Sequence, residues 1–224
     1  MTQEKPQVLN YSEADARFEQ IIQTVLPTLY SYDAVQIISQ YNERWRHYHN
    51  QSHILNMLKI ADELVPPTVL NAEEARLLRA MIIFHDVEYK LNREPGWSER
   101  QSAVFARKCL ERAKEAETFI QQVEIGVIAT FTHKLDNVPE ALNEVVSFLI
   151  DIDLLAGLGR TREEFKFISI SIGLEYDPLY TVEEFNAGRT KWAEKMLSRE
   201  RIFLTRWFAH LEETVRQNLR MYIC

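Results

Sequence analysis

In four segments that each open an apolar-periodic stretch, a small polar residue is followed, three positions later, by a glutamate or glutamine. The segments are Asn71-Ala-Glu-Glu74, Ser98-Glu-Arg-Gln101, Thr161-Arg-Glu-Glu164 and Thr181-Val-Glu-Glu184. Each fits a capping box, in which the first side chain accepts from the N–H three residues on and the later side chain reaches back. Apolar residues then recur at helical spacing, as in Leu77, Leu78, Met81, Ile82 and His85, and in Val145, Phe148, Leu149, Ile152 and Leu155. Breaks fall at VPP (65–67), REPG (93–96), NVP (137–139), GLGR (157–160) and DPLY (177–180). Glycine is scarce at six residues, and no segment alternates like a strand. These signals predict about nine or ten helices, with no internal repeat or flexible linker. The expected fold is all-α: one compact bundle over 1–224, with a core at about 45–160 and a C-terminal helical layer at about 161–224.

At 224 residues, 46% hydrophobic and 26% charged, the chain is of ordinary globular make-up. Its net charge of −7 argues against a nucleic-acid polymer as partner, which usually meets a basic face. Cys109 and Cys224 lie far apart with no CxxC pair, so a reducing compartment is expected rather than a disulfide framework. The N-terminal stretch lacks an apolar signal core, and MIIF at 81–84 is far too short to span a bilayer. A cytoplasmic protein with no membrane partner is the expectation.

The closing stretch RIFLTRWFAHLEETVRQNLRMYI reads as one long amphipathic helix. Its large apolar residues, Phe203, Leu204, Trp207 and Phe208, either pack on the core or form a homodimer contact.

Chemistry concentrates at RHYHNQSHI, residues 46–54, where three of the six histidines fall within seven positions. His49 and His53 are spaced i, i+4 and would share a face on a helix. The predicted helix over 71–89 ends in FHDVEY, with His85 and Asp86 adjacent after an apolar run. In FLIDIDLLAGLG, Asp151 and Asp153 interrupt an otherwise apolar helix and point to different faces. One can reach an interior site while the other caps, pairs with a base or faces solvent. Burying such acids costs several kcal/mol unless a cation or hydrogen bonds compensate.

An isolated His, a His-Asp pair and a later helical Asp, in that order, resemble the HD superfamily of metal-dependent phosphohydrolases. RHYHNQSHI, FHDVEY, SERQSA and DIDLLAGLG look like one little-characterised bacterial branch of it, and ETVRQNLRMYI is similar to its C-terminal helix. The resemblance covers about 45–220 and implies an HD-domain-like helical bundle with additional C-terminal helices. It implies His53, His85, Asp86 and Asp153 as ligands of one divalent metal ion. Asp153 is preferred to Asp151 because the superfamily's last Asp is followed two residues later by Leu, as Asp153 is by Leu155. Two departures stand out: Ser98 replaces the branch's usual Asn, and Ile152 its usual Ala.

Two histidines and two carboxylates suit Mn, Fe, Co, Ni or Zn better than Mg, which favours all-oxygen shells. The expected substrate is small and phosphorylated, plausibly a nucleotide phosphomonoester or phosphodiester. Asp86, Glu99 or Asp151 would position or deprotonate water. Arg46 and Lys134 would offset phosphate charge. His49 and His133 would bind phosphate or protonate a leaving oxygen, and Tyr48 and Tyr89 would line the pocket or anchor loops. His133 is the one extra histidine between the HD pair and Asp153, so a single metal is expected over two.

Other metal enzymes fit less well. A zinc protease needs H-E-x-x-H, and Asn50 stands in the Glu position; the paired E-x-x-H of di-iron bundles is absent. The alternative of a different class is a non-enzymatic helical module that binds a nucleotide or protein and keeps the metal for structure.

Overall fold

The computed structural model describes residues 12–223, and among these it contains ten α-helices and no strand. The order is α1 (Glu13–Val25), α2 (Ser31–Tyr41), α3 (Gln51–Leu64), α4 (Ala72–Phe84), α5 (Trp97–Arg112), α6 (Glu117–Ala129), α7 (Asn143–Leu158), α8 (Arg162–Tyr176), α9 (Val182–Leu197) and α10 (Glu212–Arg220). The all-α expectation holds. No helix among the described residues is long and apolar enough to cross a membrane.

The centre is α4 against α7, and both also pack on α3 and α6. Every residue of α4 from Ala80 to Phe84 is buried, and so is nearly all of α7 from Val145 to Leu158. A helix apolar on all sides belongs inside, which is where Val146, Leu149, Ile150 and Ile152 of α7 lie. α8 and α10 rest on α7, and α9 packs against both. α6 approaches α4 closely at Gly126: a Cβ there would fall within 2.4–2.8 Å of the Met81 side chain.

Helix starts follow the sequence with two adjustments. Asn71 and Thr181 form complete capping boxes with Glu74 and Glu184. Thr161 accepts from the Glu164 N–H, but the Glu164 carboxylate takes the Arg160 N–H instead. The box expected at Ser98 does not form. Helix α5 starts two residues earlier behind Gly96, whose φ of 76° is open to glycine without strain. Ser98 Oγ instead accepts from the Lys90 N–H, and Ser102 Oγ bonds both the N–H and the carbonyl of Glu88.

The final stretch is the larger correction. Residues 201–208 are not helical, and α10 starts only at Glu212. Two carboxylates capture four successive amides: Glu212 takes those of Ile202 and Phe203, and Asp151 those of Leu204 and Thr205. An N–H held by a carboxylate is withdrawn from the helical ladder, which is why apolar spacing misleads here. Phe203 and Phe208 are fully buried, so they pack on the core and are not free for a homodimer contact.

Two glycines test this packing. Gly126→Ala should lower stability by about 1–3 kcal/mol, because fully buried Met81 has little room to yield. Gly188→Ala, on α9 with nothing within 4 Å of the new carbon, should raise it by about 0.5–1 kcal/mol. Urea midpoints of the two variants check both signs.

Candidate metal centre

The end of α4 fixes the first half of the site. A helix leaves its last carbonyls without intrahelical partners, and here side chains supply them. His85 Nδ1 bonds the Ile82 carbonyl at 2.9 Å, and the Tyr41 hydroxyl donates to that of Ile83 at 2.9 Å. The Arg46 guanidinium donates to the carbonyls of Asp86 (2.7 Å) and Val87 (3.0 Å). Helix α4 therefore stops at Phe84, earlier than the predicted 89, and His85 serves as its C-cap. With Nδ1 engaged, His85 turns Nε2 inward.

The second half comes from α3 and α7. Asn50 caps α3 by accepting from Ser52 and His53. His53 therefore sits in the first turn, while His49 lies in the preceding loop rather than on the helix. His53 Nε2 faces His85 Nε2 at 3.3 Å. Asp153 Oδ1 lies 3.5 Å from His53 Nε2 and 3.9 Å from His85 Nε2. Asp86 Oδ2 lies 3.0 Å from His85 Nε2 and 3.8 Å from that of His53. Asp86 and Asp153 thus each approach both histidines. Ligand atoms of His53, His85 and Asp153 all lie within 4.8 Å of one another, and this group can hold a metal ion.

The donor set fits a cation on chemical grounds. Two imidazole nitrogens and two carboxylates crowd one buried space, where each unpaired charge is costly. Burial opposes charge on His85, but Asp86 and Asp153 outweigh it and lift the imidazole to about 9. Burial likewise resists the Asp86 and Asp153 charges. His85 holds Asp86 well below the usual carboxylate range, and His133 and His53 do the same for Asp153. His53 is shifted down because burial dominates.

Around this group the other candidates separate. His133, at the end of the α6 turn with φ of 50°, places Nε2 2.9 Å from Asp153 Oδ2. Glu99 is raised above its ordinary value by burial, with Asp86 adding to the effect and His133 and His85 opposing it. Tyr48 packs its ring 4.7 Å from that of His53, and its buried hydroxyl has no hydrogen-bond partner among the described residues. Tyr89 stacks on His49 at 4.0 Å.

Three candidates fall elsewhere. Asp151 was a candidate for catalysis, yet both its oxygens are spent on the Leu204 and Thr205 amides. Burial pushes it up to about 6 in spite of those bonds. Arg46 was a candidate for phosphate, yet it is buried and its guanidinium is bonded to Glu43 and to backbone carbonyls. Lys134 is exposed, and among the described residues no hydrogen bond or ion pair joins it to the cluster.

Glu175, on α8, was not singled out from sequence. It is 2% exposed and accepts from the backbone N–H of Tyr48 and of His49 and pairs with His49 Nδ1 at 2.6 Å. A lone Glu near a helix end has no pattern to mark it as buried. The pair raises His49 above its ordinary 6.5, against the opposing burial, and lowers Glu175 below 4.5, again against burial. Its stabilisation is present above 4.5, where Glu175 is ionised in either state, and below 6.5, where His49 is protonated in either state. It is lost as pH falls through the depressed Glu175 value or rises through the raised His49 value.

The stability gap between wild type and Glu175→Gln should therefore be widest between pH 4.5 and 6.5 and narrow on both sides. Urea unfolding across pH 3.5–9 reads this; a flat gap contradicts the pairing. Asp151→Ala should cost about 2–4 kcal/mol through two stranded buried amides and leave metal content unchanged. Asp153→Asn should instead lose the metal, and with it only the stability that the ion contributes, from a protein that stays folded. Elemental analysis separates the two, and only the Asp151→Ala deficit should persist when both proteins are compared without metal.

Comparison of the chain with protein-family models, curated proteins and solved structures gives no match.

Proposed function

We propose that this protein is a metal-dependent phosphohydrolase of the HD type, acting on a small phosphorylated substrate. The observation that carries the reading is the meeting of His53, His85, Asp86 and Asp153 donor atoms from three separate parts of the chain. Four residues singled out by their ordered motifs converge on one buried point, which a purely structural reading of each would not require.

A mixed nitrogen and oxygen donor set favours Mn, Fe, Co, Ni or Zn over Mg. Such a cation would supply Lewis acidity toward a water and a phosphoryl oxygen. The chain's own groups supply the rest. Glu99, half-buried and raised above its ordinary value chiefly by burial, would accept a proton from water. His49, oriented by Glu175 and raised in turn, would give one to a leaving oxygen. His133 steadies Asp153 through its 2.9 Å contact. Of the two cationic side chains expected to meet phosphate, Arg46 is committed to the backbone, so the charge falls to the histidines and the cation.

The purified protein should contain near-stoichiometric transition metal and hydrolyse a generic phosphomonoester or phosphodiester when supplied with Mn, Co or Ni. His85→Ala should abolish both while keeping a wild-type circular dichroism spectrum. Glu99→Gln should keep the metal and lose at least about a hundredfold in kcat, as general-base loss does. A wild type that stays metal-free when these ions are supplied sinks the reading. Bound metal with no turnover of any phosphate ester would favour the helical binding module instead.

A further inference from the structure

We infer that this protein forms a twofold dimer through the outer face of α8, with a second copy of the chain as the occupant. Phe167, Ile170 and Leu174 recur at i, i+3 and i+7 on that helix and are 73, 64 and 50% exposed. The turn that follows adds Leu179 and Tyr180, at 45 and 46%, and the start of α9 adds Val182, at 64%. Six large apolar residues on one face present on the order of 600 Å² of open side chain, against about 800 Å² per partner in a standard interface. A single exposed leucine needs no account, but a contiguous patch of this size does.

The shape of the face points to self-pairing. Beside the ridge lies a groove of about 410 Å³ between α8 and α9, lined by Ile170, Gly173, Leu174, Tyr180, Val182 and Phe185 among others. Gly173 is a poor residue for a helix interior, and packing within the chain does not demand it. A Cβ there would meet only Phe185, at an ordinary 3.5 Å. The glycine instead keeps the groove deep. Knob and hollow stand on the same helix, Phe167 three positions before Ile170 and Gly173 three after. A twofold axis at Ile170 seats Phe167 of each copy over Gly173 of the other, as an isologous contact requires. Phe167, Ile170 and Gly173 form an i±3 row, and pairing that row with itself gives a near-perpendicular crossing. That crossing keeps contact to the turns around Ile170, so Glu163 and Asp177 near the helix ends swing apart.

The dimer does not depend on the enzymatic reading, although the inner side of α8 carries Glu175 and so borders the site. Sedimentation velocity of the full chain from 1 to 100 μM tests it. Wild type should run at twice the chain mass, and Phe167→Glu and Ile170→Glu should each weaken the dimer on the order of a hundredfold. Both positions are exposed, so circular dichroism should be unchanged. Independently, Ile170→Cys in a Cys224→Ser background should cross-link to itself on mild oxidation. Val104→Cys, 42% exposed on α5, should not. A wild type that is monomeric throughout overturns the inference. So does a dimer that survives both glutamates, or equal cross-linking at 104 and 170.

Discussion

The buried Arg46 guanidinium sets the geometry on which the site depends. It is 4% exposed and joins the loop before α3 to the chain leaving α4, through the carbonyls of Asp86 and Val87. The same side chain lies against the rings of Tyr41, Trp45 and Tyr89, 5.6–5.9 Å from their centroids. One group thus closes the end of one donor-bearing helix and fixes the approach to another. The distance between His53 and His85 follows from that tie. A buried charge with three backbone acceptors, the His49 carbonyl among them, and an acid partner at Glu43 is also a satisfied one.

Buried carboxylates do two unlike jobs in this molecule. Asp151 and Glu212 spend their oxygens on backbone amides and hold a non-helical run against the core. Asp86 and Asp153 are set instead among histidines, with Asp153 bonded to His133. Asp151 and Asp153 are only two positions apart, and the helix turns one toward the C-terminal segment and the other toward the histidines. The side of α7 each acid occupies decides its role.

Much of this was legible in the sequence, for physical reasons. Capping side chains act locally, so Asn71 and Thr181 announced their helices without tertiary information. His85, Asp86, Asp151 and Asp153 stood out because polar groups beside or inside apolar runs need a compensating partner. The choice of His53, and of Asp153 over Asp151, rested on the resemblance of the ordered motifs, and His53, His85 and Asp153 do come together. What could not be read depended on distant partners. The run 201–208 carries helical spacing, but its amides are claimed by Asp151, some fifty positions upstream, and by Glu212. Arg46 resembled a surface cation because nothing local shows that carbonyls forty positions later await it. Glu175 was invisible for the same reason, its partners being Tyr48 and His49.

The donors at the centre span the chain from His53 to Asp153, on α3, at the end of α4 and on α7. No short fragment holds more than the adjacent His-Asp pair, so the unfolded chain offers no comparable site. Any ion that occupies the centre therefore acts as a cross-link across a hundred positions, and its binding free energy becomes folding free energy. At a free concentration a hundred times its dissociation constant, that linkage is worth about 2.7 kcal/mol. The lifetime of the native state would then follow the supply of the ion, making the fold itself a reporter of metal availability.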